Sequence, residues 1–186
     1  MGNPGQSYEE TRHNVGFSVV DELAARLGVA FKKKLFHSYC IGKTVKDGSS
    51  VYLIKPLTFM NASGRVFPLI LRETGLTPAE ILVVCDNLDL SPGSCRFRVR
   101  GSSGGHKGLE SIIKSIGTQD FMRLTVGVGR PAYKGQVVDH VLSRPSGEEA
   151  AAIGEGVAKA VDAVLLLLHE GPTKVMNEIN RKEPSS

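Results

Sequence analysis

Apolar side chains recur at helical spacing in Val15, Val19, Leu23 and Leu27, with Gly28 following as a stop. This pattern predicts an amphipathic helix over residues 14–27. Two short alternating runs, residues 39–46 and 51–55, flank Asp47-Gly48 and predict strands joined by a tight turn. A further helix is expected over 62–74, where Pro68 should kink or delay it. Ile81 to Cys85 is an unbroken apolar run ending at Asp86, the pattern of a strand buried on both faces. Cys95 to Arg100 alternates between apolar and basic positions, a glycine-rich turn follows, and residues 107–116 read as a helix. Leu124 to Val128 reads as a second buried strand, residues 147–169 as a long alanine- and leucine-rich helix, and 181–186 as a loose tail. Strands alternating with helices predict a single α/β domain over 1–180, with a mixed, mostly parallel sheet and helices on both faces.

Composition narrows the setting without changing that picture. A chain of 186 residues with 41% hydrophobic and 23% charged residues suits one globular domain. No apolar run approaches the length of a membrane span; Val164 to Leu168 is too short. The N-terminus has no basic-then-apolar leader, so a cytoplasmic protein is expected. Cys40, Cys85 and Cys95 are scattered and form no CxxC pair, so neither a disulfide framework nor a zinc site is expected. The net charge of +4 permits a polyanionic partner without demanding one.

Placement of the polar residues says more. Asp86 stands at the carboxyl end of a predicted buried strand, where ligands gather in open α/β sheets, although Asp86-Asn87-Leu88-Asp89 also has turn composition. His13 precedes the first predicted helix, whose positive dipole end favours a neutral, proton-accepting imidazole. The plainer reading is a helix-entry histidine with Thr11 or Asn14 as the cap. A carboxylate such as Asp86 would orient the ring and stabilise the cation formed on proton transfer. Of the other histidines, only His106 shares so polar and glycine-rich a setting; His140 sits in a strand-like run. No serine has a nucleophile-elbow context, and the cysteines lie in apolar contexts, so a histidine-activated water is the remaining hydrolytic chemistry. Gly101 to Gly108 opens a helix and offers backbone amides for a phosphate, or is simply a turn with serine caps. Arg96, Arg98 and Arg100 share one face by period two, opposite Cys95, Phe97 and Val99, and form a track for an RNA backbone. Asn61 and Asn3 are either local caps or carboxamides that hold a substrate amide.

Taken together, the segments Gly2-Asn3-Pro4-Gly5, Thr11 to Gly16, Thr58-Phe59-Met60-Asn61, Asp86 to Leu90, Gly104 to Leu109 and Gly127 to Pro131 resemble the bacterial-type peptidyl-tRNA hydrolase family, in order and in spacing. The resemblance implies hydrolysis of the ester between a peptide and the 3′ end of tRNA. It implies His13 as the base that activates water, Asp86 as its support, and Asn3 and Asn61 as ligands of the peptide part. Tyr8 and Phe59 would line the cleft for the substrate's terminal end. The family implies peptidyl-tRNA as partner, no metal or cofactor, and a monomer.

Three departures from the family stand out. Lys107 replaces an asparagine, so a cation that cannot accept a hydrogen bond stands where an amide is usual. It would stabilise an oxyanion or touch phosphate. Asn87 and Cys85 replace a common glutamate and a common histidine. The family begins with a strand running into Gly-Asn-Pro-Gly, whereas here Met1 directly precedes that loop; the expectation is a misassigned start or a truncated chain, with a core strand lost. Two rival readings are a non-catalytic RNA-binding relative, like the plastid splicing factors of this fold, and a small-molecule hydrolase or peptidase. The polar residues favour the enzyme over the first, and the second leaves the arginine face idle.

Overall fold

The structure is a computed structural model that describes residues 1–181, with only the backbone of Lys134. The tail expected over 181–186 lies outside the described residues from position 182 onward. Two three-stranded sheets form the centre. The first comprises β1 (Lys32–Lys33), β2 (Tyr39–Lys46) and β3 (Ser49–Pro56), all antiparallel. Asp47 and Gly48 make the β2–β3 turn with φ of 47° and 79°, the double left-handed conformation that two-residue hairpins require. The second sheet has the order β4 (Leu82–Asn87), β6 (Met122–Gly127), β5 (Cys95–Arg98). There β4 and β6 are parallel, and β5 and β6 antiparallel.

The expected single-domain α/β architecture is therefore present, but the sheet is divided and one of the four described strand pairs is parallel. The division falls between β3 and β4, each the last strand of its own sheet. No described strand lies between them to join the two sheets.

Helices cover both faces. Helix α1 (Val15–Leu27) ends in left-handed Gly28, as its periodicity predicts. It packs with α5 (Gly147–Glu170) on one side of β4 and β6, joining Val19, Leu23, Val84, Leu124, Val126 and Val161 in one core. Helices α2 (Phe67–Thr74) and α3 (Lys107–Ile116) cover the other side, around Val83, Cys85, Ile112 and Phe121. Alternate residues of β4 thus enter opposite cores, which explains its continuous apolar run. Each fully buried aliphatic of this kind stabilises the fold by about 1.5–3 kcal/mol. Pro68 does delay its helix. A 3-10 stretch, Met60–Val66, comes first, and Pro68 then sits in the opening turn of α2, where its missing N–H costs nothing.

Two helices were not predicted: α4 (Val137–Leu142) and α6 (Pro172–Ile179). His140 belongs to α4 rather than to a strand, and its Nε2–H donates to the carbonyls of Val128 and Gly129, both at 3.1 Å. After α6, the Asn180 carboxamide accepts from Phe97 N at 3.0 Å and donates to Phe97 O at 2.9 Å. A side chain thereby pairs the outer edge of β5, which would otherwise stand open.

Candidate active site

The carboxyl end of β4 presents Asp86, 3% exposed, to two imidazoles. His13 Nδ1 lies 2.7 Å and His106 Nε2 3.0 Å from the same oxygen, Oδ1. The tautomers follow from the other partners. His106 Nδ1 accepts from the amides of Gly108 and Leu109 at 3.2 and 3.3 Å, as the cap of α3, so its proton sits on Nε2 and is donated to Asp86. His13 likewise gives its Nδ1–H to Asp86, which leaves the Nε2 lone pair free to take a proton. Burial pushes the Asp86 carboxyl up, but the charge and hydrogen bond of His106, joined by those of His13, outweigh it and hold the group well below the usual carboxylate range. The carboxylate stays ionised.

His13 lies in a 3-10 turn, Arg12–Asn14, that enters α1. Neither Thr11 nor Asn14 caps it, contrary to the plainer expectation. Thr11 Oγ1 donates back to Tyr8 O, and Asn14 binds Asn3 instead. The turn is anchored by Arg12, 8% exposed, which makes a two-pronged ion pair with Glu149 and donates to His140 O and Ser143 O. Asn3 is equally fixed. Its N–H donates to Asn14 Oδ1 at 2.7 Å, Asn14 Nδ2 returns a bond to Asn3 O at 3.0 Å, and Asn3 Oδ1 accepts from Met60 N at 2.7 Å. The last bond assigns the amide, so Asn3 Nδ2 is a donor with no partner among the described residues.

These groups line a cleft of about 810 Å³. Tyr8 and Phe59 also line it, their rings edge to face at 6.1 Å, with Phe59 57% exposed. Asn61, exposed, and Lys107, at the first position of α3, stand at its rim. Lys107 leans toward Glu110 Oε2 at 3.4 Å. Arg96 and Arg98 line the cleft from β5 and have no carboxylate partner among the described residues. Arg100 does not line it, because β5 ends at Arg98 and the alternation stops there. For the same reason Val99 is 43% exposed instead of buried beside Phe97.

Three further features were not anticipated. His106 was singled out only by its setting, and no local pattern reveals that it shares Asp86. Arg123, 4% exposed and likewise at the cleft, lies over the Phe121 ring and donates to Ser102 O, holding the glycine-rich loop. Arg130, in the Gly-Val-Gly-Arg-Pro segment, pairs with Asp89 at the rim. The expected phosphate site at the start of α3 is also altered, since His106 already occupies the amides of Gly108 and Leu109.

His13, Asp86 and His106 place ligand atoms within 4.8 Å of one another, near enough to share a metal ion. The two N–H donors assigned above, however, already fill the space between those atoms. A thiolate is not on offer either: burial pushes Cys85 up to about 12 and Cys95 up to about 11. The arrangement supplies one hydrogen-bonded base and one free amide donor, side by side.

The sequence model of one family, described as peptidyl-tRNA hydrolase, matches residues 1–186. The chain belongs to the peptidyl-tRNA hydrolase family. A peptidyl-tRNA hydrolase of Aquifex aeolicus is 47% identical over 185 residues, covering 98% of this chain and 95% of that protein. One from Thermodesulfovibrio yellowstonii is 42% identical, covering 97% and 96%. The crystal structure of peptidyl-tRNA hydrolase from Acinetobacter baumannii superposes with a TM-score of 0.92 at 35% identity, covering 99% of this chain and 93% of that one. Family membership and fold therefore agree with the resemblance read from the six motifs.

Proposed function

We propose that this chain hydrolyses the ester between peptide and tRNA in peptidyl-tRNA, with His13 as the base. His13 Nε2 takes a proton from water as its oxygen attacks the ester carbonyl carbon, and Asp86 stabilises the imidazolium through Nδ1–H. The tetrahedral intermediate collapses with cleavage of the bond to the ribose oxygen. The imidazolium returns its proton to that oxygen, which releases free tRNA and a peptide carboxylic acid that ionises. Asn3 Nδ2 donates to the substrate at the reacting end, where a developing oxyanion gains most from a fixed donor. Asn61 holds a peptide amide, and Tyr8 and Phe59 pack the substrate's terminal end. Arg96 and Arg98 contact phosphates of the acceptor stem from inside the cleft, while Arg100 reaches only tRNA that extends past it. Lys107 serves phosphate rather than the reacting carbonyl, since its ammonium leans along α3 toward Glu110. The protein acts as a cytoplasmic monomer without a metal.

The observation that carries this reading is the 2.7 Å contact between His13 Nδ1 and Asp86 Oδ1, which leaves Nε2 as the acceptor. The test is release of tRNA from N-acetyl-aminoacyl-tRNA, with the unblocked aminoacyl-tRNA as control. Cleavage of the blocked substrate alone, unchanged by a chelator, is the expected result. A folded preparation that binds tRNA without turnover would instead support the RNA-binding alternative.

A further inference from the structure

Arg12 and His13 are consecutive in one three-residue turn, and their side chains part. His13 reaches Asp86 at the end of β4. Arg12 enters the junction of α4 and α5, where it is almost wholly buried. Its Nε donates to Glu149 Oε1 at 2.7 Å and its Nη2 to Oε2, a two-pronged pair with the first turn of α5. Its Nη1 donates to His140 O and Ser143 O, both at 3.1 Å, and to Ser143 Oγ at 2.7 Å. The Arg12 amide adds a bond to Ser143 O at 3.2 Å. A cation at the open carbonyls of a helix C-terminus gains from the helix dipole as well as from these bonds. The Arg12 hydrogen bonds in turn hold the Glu149 carboxyl below its ordinary range, so the pair stays ionised.

Helix α4 is also a wall of the substrate cleft. Val137, Val138, Val141 and Leu142 line it there, and Val138 is 63% exposed. A second polar mooring of α4 is the His140 ring, whose Nε2–H holds the carbonyls that follow β6. A shift of α4 against the sheet therefore has a short route to the base. It passes from the α4 carbonyls to the Arg12 guanidinium and amide, and then through one peptide unit to His13. Rotation of the Arg12 side chain absorbs little of the shift, because all three guanidinium nitrogens are engaged on two helices. A displacement of about 1 Å at a reacting group can cost about 10²-fold in rate.

We propose that Arg12 is a positioning residue that couples α4 to His13, so that substrate packed against the α4 wall sets the imidazole on Asp86 for proton transfer. Anchoring alone requires only that the turn be present. Coupling makes the rate depend on where α4 sits, even for changes that leave every contact of Arg12 and His13 intact. The inference rests on His13 being the base.

The test follows the His13 Nδ1–H proton by NMR in the whole chain without substrate, with the His106 Nε2–H proton as internal reference. Steady-state cleavage of N-acetyl-aminoacyl-tRNA is measured beside it. Glu149→Gln keeps the shape of the side chain and breaks the charge pair. The His13 proton then exchanges with water at least about threefold faster, while the His106 proton, whose ring is fixed by α3, is unchanged. The same variant lowers kcat about tenfold and changes KM by less than about twofold. His140→Ala frees α4 from the end of β6 but leaves the Arg12 contacts in place, because those use the His140 carbonyl. It also speeds exchange of the His13 proton, and it lowers kcat about threefold. In the double variant the second change adds nothing, since the link is already cut. Folded variants with an unchanged His13 proton overturn the proposal, as do loss of both imidazole protons together and strict additivity of the two changes. If the unmodified chain fails to cleave the blocked substrate, the reading of His13 as base falls, while the two proton signals still decide the coupling.

Discussion

The two concavities of this protein lie along one strand and differ in almost every respect. At the carboxyl end of β4, His13 and His106 are both held on Asp86, His13 Nε2 is left free, and the donor left without a partner among the described residues, Asn3 Nδ2, is aligned by Asn14 and Met60. At the start of the same strand, the side chains are apolar and it is the backbone edge that lacks a strand partner among the described residues. The contrast separates two kinds of incompleteness. An unpaired side-chain donor beside a fixed base is preorganised for a reacting group. An unpaired strand edge between apolar layers costs stability wherever its backbone groups stay unpaired.

Four changes test that contrast. Asp86→Asn is expected to have the largest effect, lowering kcat by about 10²–10⁴-fold, because a neutral amide no longer stabilises the imidazolium and no longer holds His13 in the tautomer it needs; steady-state turnover of blocked aminoacyl-tRNA measures it. Asn3→Asp keeps the acceptor for Met60 N but replaces the free donor with a buried carboxylate oxygen. It should lower kcat by about 10²-fold and lower the thermal midpoint as well.

The third change concerns the other end of β4. Burial lowers the Met1 amino group from the ordinary 8.0 to about 6. Between those values the unfolded chain holds a proton that the folded chain has lost, so stability rises as pH increases from 6 to 8. The gain is about 3 kcal/mol, present in full above pH 8 and absent below pH 6. Urea unfolding at pH 5.5 and 8.5 measures it, and a flat profile would mean that the ammonium is solvated. Asp86 does not contribute in this window, because its depressed pKa confines its loss to strongly acidic solution. The smallest effects belong to the surface: Arg96→Ala and Arg98→Ala should each reduce the salt dependence of tRNA binding by about one counterion, and Arg100→Ala by less.

Much of this was legible in the sequence, and the rest was hidden for physical reasons. Residues 14–27 and 107–116 carry strong helical periods and stops, and their helices formed within a residue of the expected limits. His13 and Asp86 were paired from strand-end and helix-entry positions alone, and they meet. His106 escaped because capping a helix with one nitrogen and sharing a carboxylate with the other is a three-dimensional coincidence. Asn14, one of two candidate caps in the plainer reading, serves Asn3 across 11 residues instead. The expected arginine track extends to Arg100, whereas the pairing of β5 with β6 ends at Arg98 and Arg123 while the alternation continues in sequence. The division of the sheet was not visible in periodicity, which reports faces and not neighbours.

The central claim is that His13 Nε2 is the base. His13→Ala, with and without added imidazole, tests it directly in single-turnover cleavage of N-acetyl-aminoacyl-tRNA. The account predicts a folded variant slowed by about 10²–10⁴-fold, with part of the rate restored by imidazole at neutral pH. A variant that cleaves within about threefold of the unmodified protein would contradict it.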